Sequence, residues 1–243
     1  MNYIFQFGDV FKYTDTLLMG ALTTLVLTFA TTIIGVAIGI LGAAGRTSGS
    51  RLWGRCALGY VEFIRNTPFI IQLFFVYFGL PALGLRLEAL TAALFTLVIN
   101  LGAYSTEIVR AGIEAVPLGQ RDAGAALGLT RWQIMRLIVL KPALKIVFPA
   151  LASQFTLLML ATSILSQIGI EELFHMASIV DTTTYRSFEV YAVTCGFYLA
   201  AALAFRLLFA IVHRLAFAER VFAGATPGAA RPAVGSVDIV VPP

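Results

Sequence analysis

Leu17-Leu-Met-Gly-Ala-Leu-Thr-Thr-Leu-Val-Leu-Thr-Phe-Ala-Thr-Thr-Ile-Ile-Gly-Val-Ala-Ile-Gly-Ile-Leu-Gly-Ala-Ala44 runs without a charged residue. A helix needs about 20 mostly apolar residues to cross roughly 30 Å of hydrocarbon, and this run exceeds that. It is too long for the apolar core of a cleaved signal. The stretch before it carries Asp9, Lys12 and Asp15 instead of a short basic start. The run predicts a true membrane span and sets the class of the chain.

The rest of the chain agrees. It has 243 residues, 59% hydrophobic and 12% charged, where a soluble domain carries about 25% charged residues. Four more apolar segments follow, at about Pro68–Leu83, Leu87–Val109, Ala143–Ile170 and Phe188–Val212. The fold class is all-α, with five transmembrane helices. Pro68–Leu83 is short for a span, so its helix is expected to begin before Arg65, with that side chain reaching back to the interface.

Basic residues set the orientation, because Lys and Arg stay on the cytoplasmic side. Arg46, Arg51 and Arg55 follow the first span, with Arg65 close by. Arg110, Arg121, Arg131, Arg136, Lys141 and Lys145 lie between the third and fourth, and Arg214, Arg220 and Arg231 follow the last. The opposite side holds Lys12, Arg86 and Arg186. The N-terminus is therefore outside and the C-terminus inside. Arg206 sits about two turns from the inner end of the last span, within snorkelling reach. The net charge of +4 is explained by these inner-leaflet arginines and does not imply nucleic acid. The aromatic start, Tyr3 to Phe11, reads as an interfacial segment on the outer leaflet. Residues 1–222 form one membrane domain, and the Ala/Gly/Pro-rich tail 223–243 is expected to be disordered.

The connection at about 111–142 is too polar to span and too patterned for a loose linker. Pro117 can open a helix. Asp122-Ala123-Gly124-Ala125-Ala126 has small side chains that let another surface approach. Gly128 suits a left-handed helix stop, and Thr130 with Gln133 forms a capping-box pair for the next helix. Pro142 marks the start of the fourth span. The pattern is helix, glycine turn, helix. It suits either insertion into a partner's groove or a merely structural hairpin.

Asp122-Ala123-Gly124, then Gly128, then Ile138-Val139-Leu140 resembles the EAA signature of ABC importer permeases. Gly124 stands for the second Ala, which is expected to make the helix more flexible. Lys141 stands at the family proline, with Pro142 following. Further stretches resemble the polar amino-acid permeases, the histidine, glutamine, arginine and opine importers. They include Leu17–Thr28, Tyr60–Pro68, Gln72–Pro81, Ala103–Arg110, Ala126–Trp132, Gln154-Phe155, Thr162-Ser163 and Ile168–Leu173.

The resemblance implies the type I ABC importer permease fold and a half-transporter. Two permeases, identical or related, pair in the bilayer. Two ATPase subunits dock on the EAA loops (here Asp122, Ala123, Gly124, Gly128, Leu129 and Arg131), and a periplasmic amino-acid-binding protein delivers substrate. The localisation implied is the bacterial inner membrane. ATP and Mg are expected on the ATPase and no cofactor on this chain. A phosphate loop needs Gly-Lys, whereas none of Lys12, Lys141 and Lys145 follows a glycine.

Polar residues within the spans usually face the bundle interior or a cavity. Gln72, Asn100, Tyr104, Thr162, Ser163 and Gln167 are therefore candidates for a substrate pathway, the other reading being helix–helix glue. Glu107 and Arg110 lie at i, i+3 and can pair. With Arg65 they suit a structural or gating role, and in the family this Glu and Arg recur beside the coupling loop. Many members carry Lys-Asp before the Thr-Ser pair, where this chain has Leu160 and Ala161. That difference admits a cationic or opine-like amino acid. His175 and His213 lack an acidic cluster at metal spacing. No nucleophile–base pair suggests catalysis. The alternative function is a stand-alone secondary amino-acid transporter, which would need coupling-ion groups deep in the spans and usually inverted repeats.

Overall fold

The computed structural model describes residues 4–47 and 50–217; the tail expected to be disordered lies outside them. Ten α-helices follow in order: α1 (Phe7–Phe11), α2 (Thr14–Thr47), α3 (Arg51–Arg65), α4 (Phe69–Phe74), α5 (Ala89–Glu114), α6 (Leu118–Ala126), α7 (Arg131–Ile134), α8 (Leu140–Ala161), α9 (Leu173–Thr184) and α10 (Ser187–Phe217). Four rods are long and apolar enough to cross a membrane: Thr14–Thr47, Ala89–Glu114, Arg131–Ile168 and Ser187–Phe217. A fifth span exists if α3 and Phe69–Leu83, bent by 104° to each other, count as one.

That bend corrects one expectation. The second span does not run straight back through Arg65. Helix α3 stops there, and Pro68 adopts φ −62°, ψ 138°. Proline lacks an N–H and keeps the preceding residue out of helical geometry. The Gln72 side chain fastens the elbow. Its amide nitrogen donates to the Ile64 carbonyl at 2.8 Å and to Thr67 Oγ1 at 2.8 Å. Beyond α4 the helix loosens through a wide turn at Phe75–Gly79 and a tight one at Leu80–Leu83.

Helix α5 is the centre of the bundle. Leu97 and Leu101 pack with Leu27, Leu73, Leu158, Leu165 and Ile168. Lipid tails are as apolar as leucine, so helices in a bilayer join through close packing of small residues. Helices α2 and α5 do so: a Cβ on Gly39 would stand 2.3 Å from Ser105 Cβ, and one on Gly42 would stand 2.3 Å from Thr106 Oγ1.

The rod from Arg131 to Ile168 is continuous, so Pro142 lies within it and does not begin it. A proline inside a helix removes one hydrogen bond and crowds the carbonyl four residues back. For Pro142 that carbonyl belongs to Ile138, and the chain widens into a π-type turn at Met135–Val139. The rod ends in a tight 3-10 stretch, Thr162–Ile168, closed by Gly169 at φ +79°.

Helix α9 is capped by Glu172, whose fully buried carboxylate accepts from the Phe174 N–H at 3.0 Å, the His175 N–H at 2.7 Å and the Tyr198 hydroxyl at 2.9 Å. Burial pushes this carboxyl above its ordinary range, against the downward pull of those donors. His175 is part of α9. The N-terminal segment is fastened to the protein as well as aromatic. Val10 is buried among Leu17, Leu173 and Val190, and the Gln6 N–H donates to Glu189 at 2.9 Å. Phe5 and Phe11 remain exposed.

Candidate functional site

The α6 loop is built by two helix ends that meet. Gly128 stands at φ +78°, a conformation that costs other residues steric strain. The Gly128 N–H donates to the Ala125 carbonyl at 2.9 Å and the Leu129 N–H to the Gly124 carbonyl at 3.1 Å. This pair of bonds is the Schellman stop. Immediately afterwards Thr130 caps α7: its Oγ1 accepts from the Gln133 N–H at 3.3 Å, and Gln133 Oε1 accepts from the Thr130 N–H at 2.8 Å. Two orphan carbonyls at the end of α6 and two N–H groups at the start of α7 are thereby satisfied within a few residues.

One side of α6 faces its own protein. Gly124 is buried, and a Cβ there would meet Ile138 Cδ1 at 2.5 Å and Ile134 Cγ1 at 3.2 Å. The glycine thus serves close packing, and the expected flexibility is not what its place in the fold requires. The Arg121 guanidinium donates to the Ile113 carbonyl and ties α6 to the end of α5. Val116, Val139 and Ala143 form a small core beneath.

The other side is open. Asp122, Ala123 and Arg131 are exposed, and Leu129 is half-buried. Leu118, Leu127 and Trp132 are exposed by 71, 81 and 71%. Three large apolar side chains on a loop otherwise rich in small and charged residues make a surface suited to a partner. Leu118 and Leu127 escaped the sequence reading because each looks like an ordinary helical leucine. Only the burial of Gly124 shows which face is turned outward.

Behind the loop lies a charged cluster. The Arg110 Nε donates to Glu107 Oε1 at 2.9 Å, and Arg110 also pairs with Glu114. The expected Glu107–Arg110 pair is therefore present. It is joined by Arg46 from α2, with a nitrogen 3.6 Å from Glu107 Oε2. Arg46 was not legible as a partner, since nothing local in the sequence joins α2 to α5. Arg65 is exposed and stands over the Tyr104 ring at 5.4 Å from its centroid, a cation–π distance.

The pathway candidates fall into two groups. Asn100 Nδ2 donates to Gln72 Oε1 at 3.0 Å, one turn from Tyr104 on α5. With the Gln72 amide spent on the elbow, this pair joins helices. Thr162 is buried and donates to the Met159 carbonyl at 2.7 Å, while Ser163 donates to the Leu160 carbonyl at 2.7 Å. Ser163 and Gln167 line a small cavity of about 240 Å³ with Ile70, Ile164 and Phe174. The second group thus meets the elbow segment at Ile70, apart from the Gln72–Asn100 pair.

Residues 35–218 match the family described as binding-protein-dependent transport system inner membrane component. The glutamine transport system permease protein GlnP of Escherichia coli (strain K12) is 34% identical over 201 residues, covering 82% of this chain and 92% of that protein. The nopaline transport system permease protein NocM of Agrobacterium fabrum is 35% identical over 193 residues, covering 75% of this chain and 80% of that protein. Among solved structures, an amino acid ABC transporter with histidines superposes with a TM-score of 0.83 at 36% identity, covering 88% of this chain and 100% of that one. With matched residues running from the middle of α2 through α10, this chain belongs to the inner membrane components of binding-protein-dependent transport systems.

Proposed function

We propose that this chain is the translocating subunit of an ATP-driven importer for a polar amino acid, coupled to separate ATPase subunits through the α6 loop. The observation that carries the reading is the exposure of three large apolar side chains on this loop, Leu118, Leu127 and Trp132. They are held on a loop whose backbone is fixed at both helix ends and whose inner face is packed. A rigid, apolar projection transmits a partner's displacement instead of absorbing it. The partners are a second permease, identical or related, two ATPase subunits and a periplasmic amino-acid-binding protein, in a bacterial inner membrane. ATP and Mg reside on the ATPase. The distribution of Lys and Arg supports an outside N-terminus and an inside C-terminus.

The substrate class is supported by relatives that transport glutamine and nopaline. Leu160 and Ala161, in place of a charged pair, admit a cationic or opine-like amino acid. The test is reconstitution with the neighbouring permease, ATPase and binding protein in proteoliposomes, with uptake measured over a panel of labelled polar amino acids. ATP-dependent uptake of one class, abolished by Gly128→Pro in a protein that still folds, is expected. Uptake that persists without the ATPase would return the chain to the secondary transporters.

A further inference from the structure

Between α8 and α10, at the end of the bundle that carries the α6 loop, lies a groove of about 860 Å³. Its walls include Phe148, Leu203 and Phe209, and its polar lining includes Arg206, His213 and Arg214. Helix α10 faces outward, with only 6% of its most apolar window buried inside the protein. Arg206 and Arg214 are both exposed in it. Among the described residues neither has an ion pair or a hydrogen bond.

An unpaired guanidinium is costly at this depth. Arg206 lies six residues before Val212, about 9 Å inside the apolar segment at the helical rise per residue. Snorkelling carries its guanidinium toward the membrane surface near Arg214 but supplies no counter-ion there among the described residues. A counter-ion that comes to the arginine, with apolar chains to fill the groove beside it, meets both needs. Guanidinium groups match phosphate oxygens in pairs.

We propose that this groove holds an anionic phospholipid, its headgroup phosphate paired with Arg206 and Arg214 and its acyl chains against Phe148, Leu203 and Phe209. Charge complementarity favours this occupant over a second copy of the chain. A twofold contact through the same face would bring the arginines of both copies into one interface, and no acidic side chain lines the groove to offset them.

The test is native mass spectrometry of the full chain with its co-purifying subunits, delipidated and offered phosphatidylglycerol or phosphatidylcholine. The expected result is about tenfold preferential retention of phosphatidylglycerol, most of it lost in the Arg206→Gln/Arg214→Gln double variant. Equal retention of the two lipids by the unaltered protein overturns the proposal, whether or not the variant folds. So does unchanged preference in a variant that folds. A photocrosslink from position 203 to a protein chain, with no phospholipid retained, would assign the groove to a subunit interface and overturn it as well.

Discussion

Gly124 and Ile138 approach so closely that a methyl group on the glycine would stand 2.5 Å from Ile138 Cδ1. The contact fixes α6 against the return helix, and it gives the first prediction. Gly124→Val destabilises the chain by about 1–3 kcal/mol through overpacking. Ile138→Ala in the same chain recovers much of the loss, since residues in contact couple by about 0.5–3 kcal/mol. Thermal unfolding of the four members of the cycle in detergent measures this. Strict additivity would show that the two side chains do not meet.

Gln72→Ala leaves the Asn100 amide without its acceptor and removes the donor shared by the Ile64 and Thr67 carbonyls at the elbow. The expected cost is about 0.5–1.5 kcal/mol of stability for losing part-buried hydrogen bonds. In the uptake assay the amino-acid preference stays as it was, because Gln72 holds helices. A changed preference with unchanged stability would move Gln72 into the substrate pathway.

Glu107→Gln removes a charge that Arg46 and Arg110 share. Paired with Arg46→Gln in a double-mutant cycle, it is expected to couple by at least about 0.5 kcal/mol. The coupling should shrink little with salt, because both side chains are largely shielded from water, at 18 and 23% exposure. A coupling that vanishes at high salt would mark the pair as a loose surface contact.

Glu172→Ala strips the start of α9 of its cap and leaves the Tyr198 hydroxyl without its acceptor. Loss of a helix cap alone costs about 1 kcal/mol. Hydrogen exchange in the first turn of α9, Leu173 to Met176, should accelerate before the rest of the bundle is affected. Uniform acceleration would mean that the carboxylate supports the whole fold and not this helix end.

Leu127→Asp changes a side chain with 81% exposure, so stability should move by less than about 0.5 kcal/mol. Capture of the cognate ATPase should weaken about tenfold, the loss of one apolar contact at an interface centre. Pull-down from detergent beside a thermal melt separates the two effects. Full ATPase capture would remove Leu127 from the docking surface.

Much of this architecture was legible because its determinants are local. Apolar runs give spans, Gly128 and the Thr130–Gln133 pair give the turn, and Glu107 with Arg110 lies within one helical turn. The elbow at Asn66–Pro68 was misjudged. Pro68 was visible, yet a span of the required length was easier to extend through Arg65 than to fold back by 104°. The partners that went unread are all distant in sequence: Arg46 with Glu107, Gln72 with Asn100, Glu172 with Tyr198. No periodicity encodes such pairs. The direction α6 faces was likewise hidden, since it depends on which small residue the isoleucines of the return helix meet.

The continuous rod from Arg131 to Ile168 has a mechanical meaning. Its 38 residues make a rod of about 57 Å at the helical rise per residue. As a stiff lever turned at the loop by ~5°, it would sweep its far end through about 5 Å, the scale of one helical turn. Ser163 and Gln167 ride at that far end. The wide turn at Met135–Val139 and Pro149 inside α8 are then the places where such a lever would flex and lose stroke.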